Sequence, residues 1–339
     1  RDSIPPRNST SQLREHAMSS GADWVETLAT IWSDVNEADS FPEVRPLFAH
    51  YTSIGTLEGI MRSDEVWFSN PLYMNDLEEL RFGLNEGINA LRSHVGLKSA
   101  FGSEARYEEF VRHFENSYSE FSEKHAFDTY VLCFAEHDPS DNDGQLSMWR
   151  GYGGNGGGAA IVFDSAAIRF AQNSPLIIAK VTYLSAADRR IWIERKLDQF
   201  TTLVEQVRIP DRDLYYVAKG LLERFKVFAL FTKHVGFKEE KEWRIVYLRE
   251  RDENKHLDGM LHYFVGPRGL EPKLKFKVQP ISGLTMDDLS LAALIDRIIL
   301  GPTVSNPLSR AAIDRMLLHC GKSDLVGKVV TSTTPYRAA

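Results

Sequence analysis

"RPLFAHYTSIGTLEGIMRSDEVWFSNPLYMND", residues 45–76, is the stretch whose reading decides the fold. A short apolar run, Leu47 to Ala49, ends in four polar side chains: His50, Tyr51, Thr52 and Ser53. "IGTLEGIMRS" then reads as a short helix and "EVWFSN" as a second strand. A strand that ends in histidine, tyrosine, threonine and serine is either an ordinary polar edge or a strand end that carries a binding site. Asn70, Tyr73, Asn75 and Asp76 follow at once. They read as a turn with Asp76 capping the next helix, or as a loop lining a pocket beside His50.

Working outward, residues 1–20 are polar and proline-bearing, an arm rather than a core element. "GADWVETLATIWSDVNEA" puts Trp24, Leu28, Ile31, Trp32 and Val35 on one helical face. Such a stripe packs on its own domain or takes a partner protein. Two prolines in "SFPEVRP" end it, which divides the chain into 1–40, an arm with an amphipathic helix, and 41–339, the main domain. Beyond Asn75, long helices are expected over 76–95, 103–125, 185–208 and 211–230. Strands are expected at "DTYVLCFAE", "AAIVFD", "LIIAKVTYL", "EWRIVYLRE", "MLHYFV", "LKFKV", "DRIILGP" and "KVVTST". "SAAIRFAQN" reads as a further helix. Strands and helices mix without a regular βαβ rhythm, so the fold class is α+β rather than a doubly wound sheet.

Composition narrows the function. The chain has 339 residues, 43% of them hydrophobic, enough for a large core. Its net charge of −7 does not advertise a nucleic-acid partner, although it allows a local basic cleft. Only two cysteines occur, Cys133 and Cys320, each beside an apolar segment. A reduced, cytoplasmic chain is the simpler expectation, and no run approaches the ~18–20 apolar residues of a membrane span. The histidines are scattered without metal-ligand spacing, so no metal is expected.

Two stretches carry candidate chemistry. In "LSMWRGYGGNGGG", Ser147, Trp149, Arg150 and Tyr152 set stacking, cationic and hydroxyl groups beside a glycine run. The run precedes a strand and lacks a Lys-Ser or Lys-Thr pair, which excludes a Walker loop. The glycines themselves read as a flexible hairpin connection. In "FKEEKEWRIVY", strand alternation puts Glu242, Arg244 and Val246 on one face and Trp243, Ile245 and Tyr247 on the other. A Glu–Arg pair on a solvent face is the ordinary alternative, and it would contribute little.

The ordered motifs "LFAHYTSIGTLEGIMRSDEVWFSNPLYMNDLEEL", "VLCFAE", "LSMWRGYGGNGGGAAIVFD", "GFKEEKEWRIV", "IILGP" and "TPYR" resemble the bacterial domain-of-unknown-function 2971 family across roughly Leu47 to Arg337. More distantly, "HYTS", the short helix and "EVWFSN" resemble the opening of ADP-ribosyltransferases of the His-Tyr-Glu type. That resemblance implies a split β-sheet core wrapped by long helices, with NAD as substrate. It places His50 on the adenosine ribose and Glu242 on the nicotinamide ribose, with Tyr152, Tyr73 or Trp149 stacking on nicotinamide. Glu240 would then lie on the acceptor side, and Tyr51, Thr52, Ser53, Asn70, Asn75, Ser147, Arg150 and Arg244 would line the nucleotide. Chains of this resemblance act as toxins or phage-defence effectors, an implication by analogy.

The chemistry suits those residue types. Cleaving the nicotinamide–ribose bond passes through an oxocarbenium-like state, which a nearby carboxylate stabilises. Forked guanidinium donors match a pyrophosphate. The expectation is therefore an NAD-dependent ADP-ribosyltransferase acting on a macromolecular acceptor. The alternatives are an NAD glycohydrolase and a non-catalytic nucleotide-binding or scaffold module. An enzyme should gather His50 and Glu242 in one cleft with an aromatic between them.

Overall fold

The computed structural model describes residues 23–35, 40–74, 77–171, 174–266 and 269–336. The expected arm over 1–20, Asn75 and the proposed cap Asp76 lie outside these.

The opening stretch folds as its pattern implies. Strand β1 (Leu47–Thr52) stops where the Ser53 hydroxyl accepts the backbone N–H of Thr56 at 3.1 Å, capping helix α2 (Ile54–Ser63). Leu57, Ile60 and Met61 recur at helical spacing and are buried. Asp64 adopts φ 55°, which closes the helix and releases strand β2 (Glu65–Ser69).

The centre is a ten-stranded sheet. Its strands include β3 (Thr129–His137), β4 (Ala159–Asp164), β8 (Glu242–Leu248), β9 (Leu261–Gly266), β10 (Gly269–Lys277), β11 (Ile295–Leu300) and β12 (Val329–Thr331). The main path runs β12-β11-β4-β1-β3-β2-β10-β9, and β8 pairs with both β3 and β5 (Leu176–Lys180). A separate two-stranded parallel ribbon joins β6 (Thr182–Leu184) to β7 (Thr232–His234). The mixed order is α+β.

One edge of β3 is shared by two strands. β1 holds Ala135 to His137, and β2 holds only Val131. Between them β1 and β2 diverge, so the sheet forks along Leu132 to Phe134. The split core is thus a fork inside one sheet rather than two separate sheets.

Cross-strand register sorts side chains onto two faces. Ala49, Ala135 and Glu242 are in line on the first face, while Phe48, Phe134 and Trp243 lie on the second. The second face is covered by α2 and two later helices, α9 (Leu291–Leu294) and α10 (Pro307–His319), through Leu57, Met61, Leu291 and Leu317. The first face carries two separate cores. One packs Val131, Val246 and Leu248 under α5 (Glu104–Glu123), α7 (Ala186–Gln206) and α8 (Leu214–Leu230). The other gathers Ala49, Tyr51, Ala135 and Val162 under α6 (Leu146–Gly151). The long helices therefore cover one part of one face, not the whole core.

The N-terminal helix α1 (Asp23–Ala29) and the turn Thr30–Trp32 bury Trp24, Val25, Ile31 and Trp32 in the helical core. Asp34 then bridges Lys196 and Arg224, 2.7 Å from each. Arg224 lies between the rings of Trp32 and Trp192, 4.9 and 4.5 Å from their centroids.

Three expectations need correction. Over its described residues "SAAIRFAQN" is not an α-helix: a turn spans Ser165–Ala167, Ile168 is extended at φ −81° and ψ 111°, and Phe170 bridges to Thr285. "LIIAKVTYL" breaks at Val181 into β5 and β6. The glycine run is not a flexible connection. Gly156 has φ 82°, and the N–H of Gly158 donates to the Gly153 carbonyl at 2.9 Å. Gly301 and Thr303 donate to Gly158 and Gly156 at 2.9 and 3.0 Å, locking the run to the end of β11.

Candidate functional site

The two cores of the first face meet along a seam of polar side chains, the crease of the sheet. β8 starts there because Lys241, at φ 46°, turns the chain out of the turn Val235–Glu240. Every residue of β8 is buried, so the Glu242–Arg244 pair lies inside the protein and not on a solvent face. A buried carboxylate must be matched. The Arg244 Nε–H donates to Glu242 Oε1 at 2.7 Å, and the Lys233 ammonium donates to Glu242 Oε2 at 3.0 Å. Arg244 Nη1 is spent on the Leu230 carbonyl at 2.7 Å. The backbone N–H of Glu242 donates to the Tyr183 hydroxyl at 2.7 Å.

The ladder continues outward. Lys233 also donates to Glu240 Oε2 at 2.7 Å, and the Tyr152 hydroxyl donates to Glu240 Oε1 at 3.0 Å. Tyr152 is 47% exposed, whereas Glu242 is 3% exposed. Tyr152, Glu240, Lys233, Glu242 and Arg244 thus form one string from surface to interior. Burial opposes ionisation of Glu242, but the Arg244 guanidinium and the Lys233 ammonium outweigh it and hold its pKa down at about 2. Burial pushes the Tyr183 hydroxyl up to about 12, so it stays protonated.

His50 is elsewhere. Register puts it with Phe48 on the second face, one residue out of step with Ala49, Ala135 and Glu242. Its ring meets Phe134 edge-on, with centroids 6.0 Å apart, and its Nδ1 lies 3.3 Å from the Cys133 carbonyl in the fork. A carbonyl only accepts, so Nδ1 carries the proton and Nε2 is left as an acceptor. Burial lowers the His50 pKa, which favours this neutral form; the Cys133 bond opposes the shift in part. Cys133 touches both groups, since its side chain also hydrogen-bonds Glu242.

The remaining predicted residues divide plainly. Tyr51 is buried, accepts the Gln145 N–H at 2.8 Å and packs edge-on against Trp149 at 4.8 Å. Trp149 is fully buried and donates to the Asp143 carbonyl at 2.8 Å, so of the three competing aromatics it cannot stack on a ligand. Asn70 is fully buried: its amide donates to the carbonyls of Ala126, Phe127 and Thr129, and its oxygen accepts the Leu72 N–H. It pins a turn and has nothing left for a ligand. Thr52 is buried, Ser53 is the cap of α2, and Tyr73 is half-buried in the turn Pro71–Tyr73. Ser147 is exposed, and the Arg150 guanidinium lies 5.5 Å over the Tyr336 ring. The structure therefore joins Tyr152, Glu240, Glu242 and Arg244, and leaves His50, Tyr51, Asn70 and Trp149 out of that group.

Sequence reasoning missed Lys233 and Tyr183. Lys233 stands in a three-residue strand with no periodicity to mark it. No charge imbalance marks it either, since "KEEKEWR" over 238–244 sets three cations against three carboxylates. Among the described residues, no group of three or more His, Cys, Asp or Glu side chains is arranged to hold a metal ion.

A family model described as "Protein of unknown function (DUF2971)" matches residues 148–245. The match runs from the glycine run into the first half of β8, so it contains Tyr152, Lys233, Glu240, Glu242 and Arg244, while His50 falls outside it. Over these residues the chain is similar to that family. No curated protein and no solved structure matches the chain.

Proposed function

We propose that the crease is the site of an NAD-using ADP-ribosyl transfer in which Glu240 is the reachable carboxylate. The observation that carries this reading is the carboxylate itself. One oxygen of Glu240 is fixed by the buried Lys233, and the other meets the exposed Tyr152 hydroxyl at the surface. A carboxylate so held can face a developing oxocarbenium without reorganising. The nicotinamide–ribose bond would break with its electron pair leaving on nicotinamide. An acceptor nucleophile, or water in the hydrolytic variant, would then bond to the ribose carbon and lose its proton to Glu240. The exposed Tyr152 ring supplies a stacking face. Glu242 would act at one remove, fixing Lys233 and Arg244, because it is buried behind Glu240 and both of its cation partners are buried with it. The acceptor class is a macromolecule, and a toxin or defence role accompanies the activity by analogy only.

The closure of Glu242 favours a second reading, a nucleotide-binding module without turnover. Placement of His50 on the opposite face favours it too.

Incubation with labelled NAD and a cell lysate separates the readings. Transfer or NAD consumption is expected, falling on the order of 10²–10³-fold in Glu240→Gln and Tyr152→Ala. Saturable NAD binding without consumption selects the second reading. Neither binding nor consumption ends both.

A further inference from the structure

We infer that β9 is a homotypic pairing edge, through which two copies of this chain join antiparallel into one continuous sheet. The inference is independent of the crease. β9 is the last strand on its side of the sheet, and among the described residues only β10 pairs with it. An open edge presents a row of unpaired backbone N–H and C=O groups, which proteins ordinarily guard with lysine, proline, bulges or a covering element. "LHYFVG" (Leu261–Gly266) carries no charged residue and no proline. Tyr263 is 64% exposed, Val265 78%, and Leu270, which pairs with Val265, 58%. Phe264 stands on the other side of the hairpin, its ring 5.7 Å from that of Trp67.

The occupant that fits this edge is itself. In an antiparallel pair centred on Tyr263, Tyr263 faces the second copy's Tyr263, Leu261 faces Val265, and His262 faces Phe264. Apolar meets apolar on one side and aromatic meets imidazole on the other, the kind of cross-strand pairs that stabilise a sheet. No like charges are opposed within the strand. Lys273 and Lys275 stand on β10. In the dimer the two β10 strands would be three strand spacings, roughly 14 Å, apart. That exceeds the Debye length of about 8 Å at physiological salt, so their repulsion is screened.

Sedimentation of the full chain at about 100 µM should give twice the monomer mass. Val265→Lys places a charge opposite Leu261 twice over by symmetry, and should weaken the dimer at least tenfold with far-UV circular dichroism unchanged. Tyr263→Cys should cross-link to its own copy under mild oxidation, above the background of wild type with its two native thiols. A wild-type monomer at that concentration overturns the inference. So does a dimer that survives Val265→Lys, or one in which Tyr263→Cys cross-links no more than wild type.

Discussion

Glu242 is where burial and charge act most directly on one side chain. Its pKa of about 2 lies below the ordinary carboxylate value of 4.5. The folded state therefore binds this proton less readily than the unfolded chain. The resulting stability is fully present above about pH 4.5 and is lost as pH falls toward 2. The difference corresponds to an order of 3 kcal/mol. Glu242→Gln should therefore unfold at lower denaturant than wild type at pH 7, and the gap should shrink when both are titrated to pH 2–3. An unchanged gap across that range would show that the carboxylate's charge does not matter to the fold. Lys233→Met is a harsher change, since it leaves Glu240 and Glu242 facing each other with one cation fewer. Breaking a buried pair typically costs about 3–5 kcal/mol, readable as a shift in the urea midpoint. For His50, nitrogen NMR should show Nδ1 protonated and Nε2 bare at neutral pH. The protonation midpoint should sit below that of an unfolded-state histidine, because burial disfavours the imidazolium.

Elements in this protein are held by close backbone approach as much as by apolar faces. The glycine run is the sharpest case. A Cβ on Gly158 would stand 2.1 Å from the Thr52 carbonyl oxygen and 2.8 Å from that of Gly153, both backbone atoms that cannot swing away. Gly158→Ala should therefore destabilise by about 2 kcal/mol or more, while Gly259→Ala, where nothing lies within 4 Å, should be nearly silent. Thermal unfolding of the two variants side by side checks this. The N-terminal clasp is an ion triad on an aromatic bed. Asp34→Ala would leave the Lys196 and Arg224 cations, both nearly buried, without their shared carboxylate. A loss of about 3 kcal/mol is expected, toward the low end for a broken buried pair because Asp34 itself is reached by water. Removing residues 1–35 should cost more, since Trp24, Ile31 and Trp32 leave the helical core with them. Unchanged stability after that deletion would return the stripe to the role of a partner-binding helix.

At the scale of the molecule, β3 and β8 hold the two faces together. Val131 and Val246 belong to the helical core, while Phe134 and Trp243, on the same two strands, belong to the opposite one. Neither core can open without breaking the ladder that carries the other. Thermal unfolding should therefore be a single transition, with near-UV and far-UV signals coincident. Separated transitions would mean that the helical layer melts off the sheet by itself.

Local pattern was enough for much of this protein. The strand–helix–strand opening, the long helices and the face alternation of β8 all follow from period and short-range sterics, which act within a few residues. Tertiary structure alone decided what those residues do. Nothing in "LFAHYTS" says that Ala49 rather than His50 comes into line with Ala135 and Glu242, so that His50 faces away from Glu242; register is a long-range property, and one step of it moves a side chain across the sheet. Burial likewise turned Asn70 and Trp149 from ligand candidates into pins, because their polar atoms had to be satisfied inside. Lys233 entered the site from a strand of three residues, since a buried Glu242 needs a second cation and only packing brings one within reach.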